Sequence, residues 1–172
     1  MATWPKQMKK FWELVGLGKI THANFQAYLN NPSGAFGAGV IDCDADPFLP
    51  DGWSVESHRK GGQWNWDSEQ IELWLSGEQK NGWVSKGNAL RIELANQPVL
   101  NACVLDYLLE HPELIPEEWK GKFVFFWGTI YRSASGGLLV RCLDWDGNEW
   151  SWDCSWLDDG FNDDYPAAVS RK

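Results

Sequence analysis

The sequence predicts an α+β fold made of two related units, each a short helix followed by a Trp-rich antiparallel β-meander. Three observations carry this. Apolar residues at helical spacing occur only in short segments, and most of the remaining chain alternates with period two between Gly, Pro, Asn and Asp turns. The chain also holds 13 Trp among 172 residues, and bulky aromatic residues favour half-buried strands. Composition is 44% hydrophobic and 23% charged, which suits an ordered globular chain and is too apolar for a disordered one. The units are expected over residues 1–95 and 96–172, packed as one compact body.

Element by element, residues 6–15 read as a helix, interrupted by Gly16 and Gly18. Thr21 is placed to cap a second helix over His22 to Asn30, which Asn30-Asn31-Pro32 stops. Residues 32–39 are a glycine-rich loop. Val40 and Ile41 open a strand, and Pro47, Pro50 and Asp51-Gly52 turn the chain. Trp53 and Val55 alternate up to His58, before a turn at Lys60-Gly61-Gly62. Trp64 and Trp66 alternate on the next strand, and Ile71, Leu73 and Leu75 on the one after, with Asn81-Gly82 as a turn. Residues 85–94 read as a helical turn. From about Val99 to Glu110, Leu100, Val104, Tyr107 and Leu108 share one helix face, which His111-Pro112 ends. Phe123 to Tyr131 is a nearly continuous apolar run, expected to be one central strand covered on both faces. Leu138 to Trp145 and Glu149 to Leu157 form a hairpin around Asp146-Gly147-Asn148. Trp150, Trp152, Cys154 and Trp156 would line one face of its second strand. The acidic tail from Asp158 is expected to fray.

Charge narrows the partners. Fifteen Lys+Arg against 24 Asp+Glu leave a net charge of −9, which argues against non-specific nucleic-acid binding. Between Arg141 and Arg171 there is no Lys or Arg, while Asp144, Asp146, Glu149, Asp153, Asp158, Asp159, Asp163 and Asp164 accumulate. Such a surface suits a basic protein partner or a mimic of nucleic-acid charge, with solubility as its plainer role. No apolar run approaches the roughly 20 residues of a membrane span, and the N-terminus lacks the apolar core and cleavage site of a secretory signal. A cytoplasmic location is therefore expected. Cys43, Cys103, Cys142 and Cys154 are widely spaced without a CxxC pair, so free buried thiols are expected; a disulfide between the hairpin neighbours Cys142 and Cys154 stays geometrically open.

The halves echo one another. ANFQAYLNNP (23–32) and ACVLDYLLEHP (102–112) both place Tyr-Leu near a helix end and close with Pro, and Leu49-Pro50-Asp51-Gly52-Trp53 parallels Ile115-Pro116-Glu117-Glu118-Trp119. The wording of Pro98-Val99-Leu100-Asn101-Ala102, Leu105-Asp106-Tyr107-Leu108-Leu109, LIPEEWKGK, FFWGTIYR and IDCDADPFLPDGWSVESHRKGGQWNWD resembles a family of uncharacterised bacterial proteins known mainly from metagenomic gene predictions. The resemblance runs from about residue 10 to the Pro166-Ala167-Ala168 tail and implies no activity, ligand or catalytic residue. Where that pattern has Asn after Ala102, this chain has Cys103, which argues against Cys103 as a ligand or nucleophile.

The chemical candidates are few. Asp42, Asp44 and Asp46 form a D-x-D-x-D run, but a calcium loop needs Gly sixth and Glu twelfth, where this chain has Pro47 and Trp53. Asp144 to Glu149 reads as a hairpin turn before it reads as a metal site. Gly34, Gly37 and Gly39 lack the Gly-Lys-Ser/Thr of a phosphate loop. His58 has Asp46, Asp51 and Glu56 nearby in sequence, yet no nucleophile elbow accompanies it. The indoles matter most. Trp64, Trp66, Trp145, Trp150, Trp152 and Trp156, set among Asp, Asn, Gln and Glu, are the candidate ligand-binding residues, with most Trp serving as core. The expected function is a non-enzymatic binding protein that meets a protein partner through an acidic, aromatic-rich surface, with no metal and no cofactor. The alternatives are a carbohydrate-binding module using exposed Trp and a hydrolase centred on His58.

Overall fold

The computed structural model describes residues 4–16 and 40–171. Contacts group the chain into two compact units, Met1–Gly39 and Val40–Lys172. In the first, α1 (Trp4–Gly16) carries Phe11 and Trp12 in edge-to-face contact at 5.3 Å. The expected helix over His22 to Asn30 and the loop at 32–39 lie outside the described residues. No helix among the described residues is long and apolar enough to cross a membrane.

The second unit runs β1 (Val40–Asp42), β2 (Ser54–His58), β3 (Gln63–Asn65), β4 (Ile71–Trp74), α2 (Gly77–Lys80), β5 (Ser85–Lys86), α3 (Gly87–Glu93) and α4 (Ala102–Glu110). It continues with β6 (Val124–Phe125), β7 (Thr129–Arg132), β8 (Leu138–Trp145), β9 (Trp150–Trp156), β10 (Gly160–Phe161) and β11 (Ala167–Ser170). The hairpin of β8 and β9 is the axis. Gly147, with φ at 97°, supplies the left-handed turn residue that a tight hairpin needs. On its other edge β8 pairs with β7 through its first half and with β6 through its second. The sheet forks there: β7 continues to β2, whereas β6 continues to β11 and then β4. β1 with β3 and β5 with β10 form two small ribbons. Strands from 40–95 and from 96–172 thus pair with one another, and the α+β class holds.

Alternation along β8 divides the core. Val140 and Cys142 join Leu90 and Leu94 of the α3 segment, Phe125, Trp127, Leu157 and Phe161 in one buried cluster. Leu139, Arg141 and Leu143 face the other way, where α4 packs against β8 and β9 and buries Val104, Leu105 and Leu108 completely. Each fully buried Leu or Val contributes about 1.5–3 kcal/mol, so both layers are substantial. Helix α4 begins at Ala102 rather than near Val99, because the Asn101 side chain caps it by accepting from Cys103 N at 3.1 Å. Val99 bridges Val169 in extended conformation instead.

Two expectations need correction. The run Phe123 to Tyr131 is not one strand. It breaks at Phe126-Trp127-Gly128, where Gly128 N donates to Leu100 O (2.8 Å) and Gly128 O accepts from Arg59 N (2.7 Å). The backbone there leaves the ladder to hold the start of α4 and the end of β2. A Cβ on Gly128 would sit 2.8 Å from Asn101, so only glycine allows this approach. The tail also does not fray. Pro166, Ala167, Ala168 and Val169 are buried, and β11 lies between β6 (parallel) and β4 (antiparallel). The acidic residues before it hid a short apolar segment whose small side chains fit a crowded sheet centre.

Candidate functional site

The six candidate Trp fall into three places. Trp64 and Trp66 stand edge to face at 5.8 Å and 89°. Trp66 is 7% exposed, continues edge to face onto Trp119 at 5.9 Å, and donates its Nε1–H to Leu114 O at 3.0 Å. It is core. Trp64 is half-buried and lines a pocket of about 330 Å³ with Cys43, Arg59, Lys60, Val99, Leu100 and Asn101 among its walls. Trp145 and Trp150 meet across the hairpin mouth at 5.3 Å and 61°, with Lys120 Nζ 3.9 Å above the Trp145 ring. Neither the Trp64–Trp66 pair nor the Trp145–Trp150 pair is flat, whereas a sugar-stacking platform presents ring faces.

Trp152 belongs to a buried polar cluster that the indole count did not reveal. Register places Trp150, Trp152, Cys154 and Trp156 opposite Trp145, Leu143, Arg141 and Leu139, so all face the α4 side. Arg141 is 1% exposed. Its Nη2 meets Asp106 Oδ1 at 2.9 Å, and its guanidinium lies 4.5 Å from the Trp152 ring and 5.0 Å from Phe48. Arg141 Nε and Nη1 have no hydrogen-bond partner; the two ring faces, negative in their quadrupole, take up the charge instead. Asp106 Oδ2 also accepts from Phe48 N at 3.1 Å, and Tyr131 donates its hydroxyl to Phe48 O at 3.1 Å. Burial pushes the Tyr131 phenol up. This cluster fastens residues 43–53 over the sheet. One signal was available in the sequence: a cation inside Leu-Leu-Val-Arg-Cys-Leu must be buried and paired.

His58 sits opposite Thr129 in the β2–β7 pair. Its Nε2 lies 3.1 Å from Cys43 O, so Nε2 carries the proton, since a carbonyl only accepts. Nδ1 then accepts from the Thr129 hydroxyl at 2.8 Å, and the same hydroxyl accepts from Ala102 N at 3.0 Å. Both ring nitrogens are thereby engaged in bonds between elements. Of the acids near it in sequence, Glu56 pairs with Arg132 at 2.8 Å. Asn101, 3% exposed, completes the junction by donating Nδ2 to Cys43 O (2.8 Å) and Arg59 O (2.9 Å).

The aspartate run closes a turn. Asp42 Oδ1 accepts from Asp44 N, and Asp44 Oδ1 accepts from Gly62 N. Among the described residues no three His, Cys, Asp or Glu gather closely enough to hold an ion. All four cysteines are free, and Cys142 and Cys154 point to opposite faces of the sheet. Burial raises every thiol, that of Cys103 to about 11, with the charges of Cys43, Asp106 and Asp42 adding to it.

Exposed on this face are Phe48, at 51%, and the outer edge of β9. Trp156 is 41% exposed, and Asp146, Glu149, Asp153, Asp158 and Asp159 are all exposed around the strand. Two bonds fix the ladder phase, Asp146 N to Glu149 O at 3.2 Å and Leu157 N to Leu138 O at 2.9 Å. In an antiparallel pair alternate residues bond inward. Ser151, Asp153 and Ser155 therefore bond to β8, and the backbone groups of Trp150, Trp152, Cys154 and Trp156 point outward. Two of these are already engaged: Cys154 N donates to Asp153 Oδ1 at 2.7 Å, and Trp156 O accepts from Asp159 N at 3.0 Å. Among the described residues no strand covers this edge. No family model, curated protein or solved structure matches the chain.

Proposed function

We propose that this is a non-enzymatic binding protein that takes up an extended, basic segment of a protein partner along the outer edge of β9. The observation that carries the reading is the seven-residue edge strand, with the outward N–H and C=O of Trp150 and Trp152, the Cys154 carbonyl and the Trp156 N–H left to pair, and exposed carboxylates at Asp146, Glu149, Asp153, Asp158 and Asp159 around it. Strand addition draws affinity from main-chain hydrogen bonds and specificity from alternate side chains. Here the alternate side chains would meet Trp156 on one face and Asp153 on the other. The acidic surroundings attract and orient a cationic segment, and exposed Trp is favoured at interface hot spots.

The test is binding of extended peptides graded in net charge, read by fluorescence anisotropy at low and moderate salt. Affinity is expected to rise with positive charge and to fall with salt. Cys154→Pro is the informative variant. Its missing N–H faced Asp153 and not β8, so the hairpin ladder survives, while the proline ring obstructs an added strand. It is expected to abolish binding and leave the circular dichroism spectrum unchanged. Equal binding by the proline variant, or no preference for basic peptides, overturns the proposal.

A further inference from the structure

The pocket beside Trp64 lies apart from the β9 edge and is a site in its own right. We infer that it binds a small organic anion, a carboxylate or sulfonate carried on a flat apolar body. Its volume, about 330 Å³, is in the range that small-molecule sites occupy, and its make-up is the usual one of apolar walls with a few fixed polar groups. Val99 and Leu100 give an apolar floor, and the half-buried indole of Trp64 gives a wall. Among the described residues the charged groups that line it are Arg59 and Lys60, and no carboxylate does. In a chain of net charge −9 that local excess of cations selects for an anion.

The two cations have different tasks. Arg59 is held rigidly: Nη1 donates to Gln97 O at 3.0 Å, and Nη2 donates to Leu94 O at 3.2 Å and Ala95 O at 3.0 Å. Carbonyl dipoles orient a guanidinium without cancelling its charge, so a positive potential persists at the rim. Lys60 is exposed on a turn that Cys43 N fixes by donating to Gly62 O at 2.9 Å, and its ammonium has no acidic partner among the described residues. It is the group that would meet the ligand's charge directly. Asp44, the acid bonded to this turn, is tied to Gly62 N and does not line the cavity. Asn101, clamped on two carbonyls, keeps the base from collapsing, so little ordering is required when a ligand enters.

The probe is anilinonaphthalene sulfonate, with uncharged phenylnaphthylamine as its counterpart, each titrated by fluorescence and by calorimetry. The sulfonate is expected to saturate a single site and bind about tenfold tighter than the amine. Trp64→Ala should abolish binding of both. Lys60→Glu, at an exposed position with no acidic partner among the described residues, should weaken only the sulfonate, again by about tenfold. Thermal melts of both variants check the fold. Equal affinity of the two probes, or sulfonate binding unchanged in either variant, overturns the inference. Neither result bears on peptide binding at β9.

Discussion

Arg141 is 1% exposed, and the carboxylate that faces it is Asp106. Removing one partner of such a pair leaves a buried charge uncompensated, at about 3–5 kcal/mol, whereas an apolar replacement of the charge can be nearly neutral. Asp106→Ala is therefore expected to lower stability by about 3 kcal/mol, and Arg141→Met by clearly less, read as urea midpoints at unchanged slope. The opposite ranking would mean that the ring faces of Phe48 and Trp152, not Asp106, carry the cation. Asn101 joins a helix cap to two buried carbonyl contacts, so Asn101→Ala should cost about 2–4 kcal/mol. Cys103 contributes on the alkaline side, alongside the other raised thiols. Its thiol stands raised, at about 11 against the ordinary 9.0, chiefly through burial. The folded chain then holds a proton that the unfolded chain releases, so stability is full below pH 9 and declines as pH rises through about 11. Thermal midpoints across that range should fall, and Cys103→Ser should make the fall shallower without abolishing it; a variant with the same slope would place the loss elsewhere.

At the scale of elements, the break between β6 and β7 depends on Gly128. A Cβ there meets Asn101 and the Leu100 carbonyl at 2.8 Å, so Gly128→Ala is expected to cost at least 1–3 kcal/mol, the usual range for overpacking. Gly77→Ala, where a Cβ meets nothing within 4 Å, is the control and should change stability little in the same denaturation experiment. The hairpin of β8 and β9 was legible because alternation and an Asp-Gly turn are local signals. The interruption at Phe126-Trp127-Gly128 was not, because its cause is a pair of backbone bonds to Leu100 and Arg59, both distant in sequence. β11 escaped notice for a related reason. Ala167 and Ala168 carry little strand preference of their own, and the segment becomes a strand because β6 and β4 lie on either side of it.

For the whole molecule, the α+β class followed from periodicity, but the forked sheet did not, since long-range pairing leaves no mark on local pattern. The candidate surfaces were legible only in their indoles. Indole enrichment pointed to Trp156 and Trp64, which are accessible, as well as to Trp66, which is core. It overlooked Arg59, Lys60 and Asn101, which a turn over the start of α4 brings together at one pocket. The −9 charge was legible in composition, whereas the β9 edge, uncovered among the described residues, emerges only in the fold; the proposal of a basic strand as partner rests on the two together. Residue-resolved amide hydrogen exchange tests this most directly. In the free protein the Ser151, Asp153 and Ser155 amides should exchange slowly and those of Trp152 and Trp156 quickly. Adding a basic extended peptide should slow the Trp152 and Trp156 amides to match. Protection of those two amides before any peptide is added, or no change on adding it, would contradict the account.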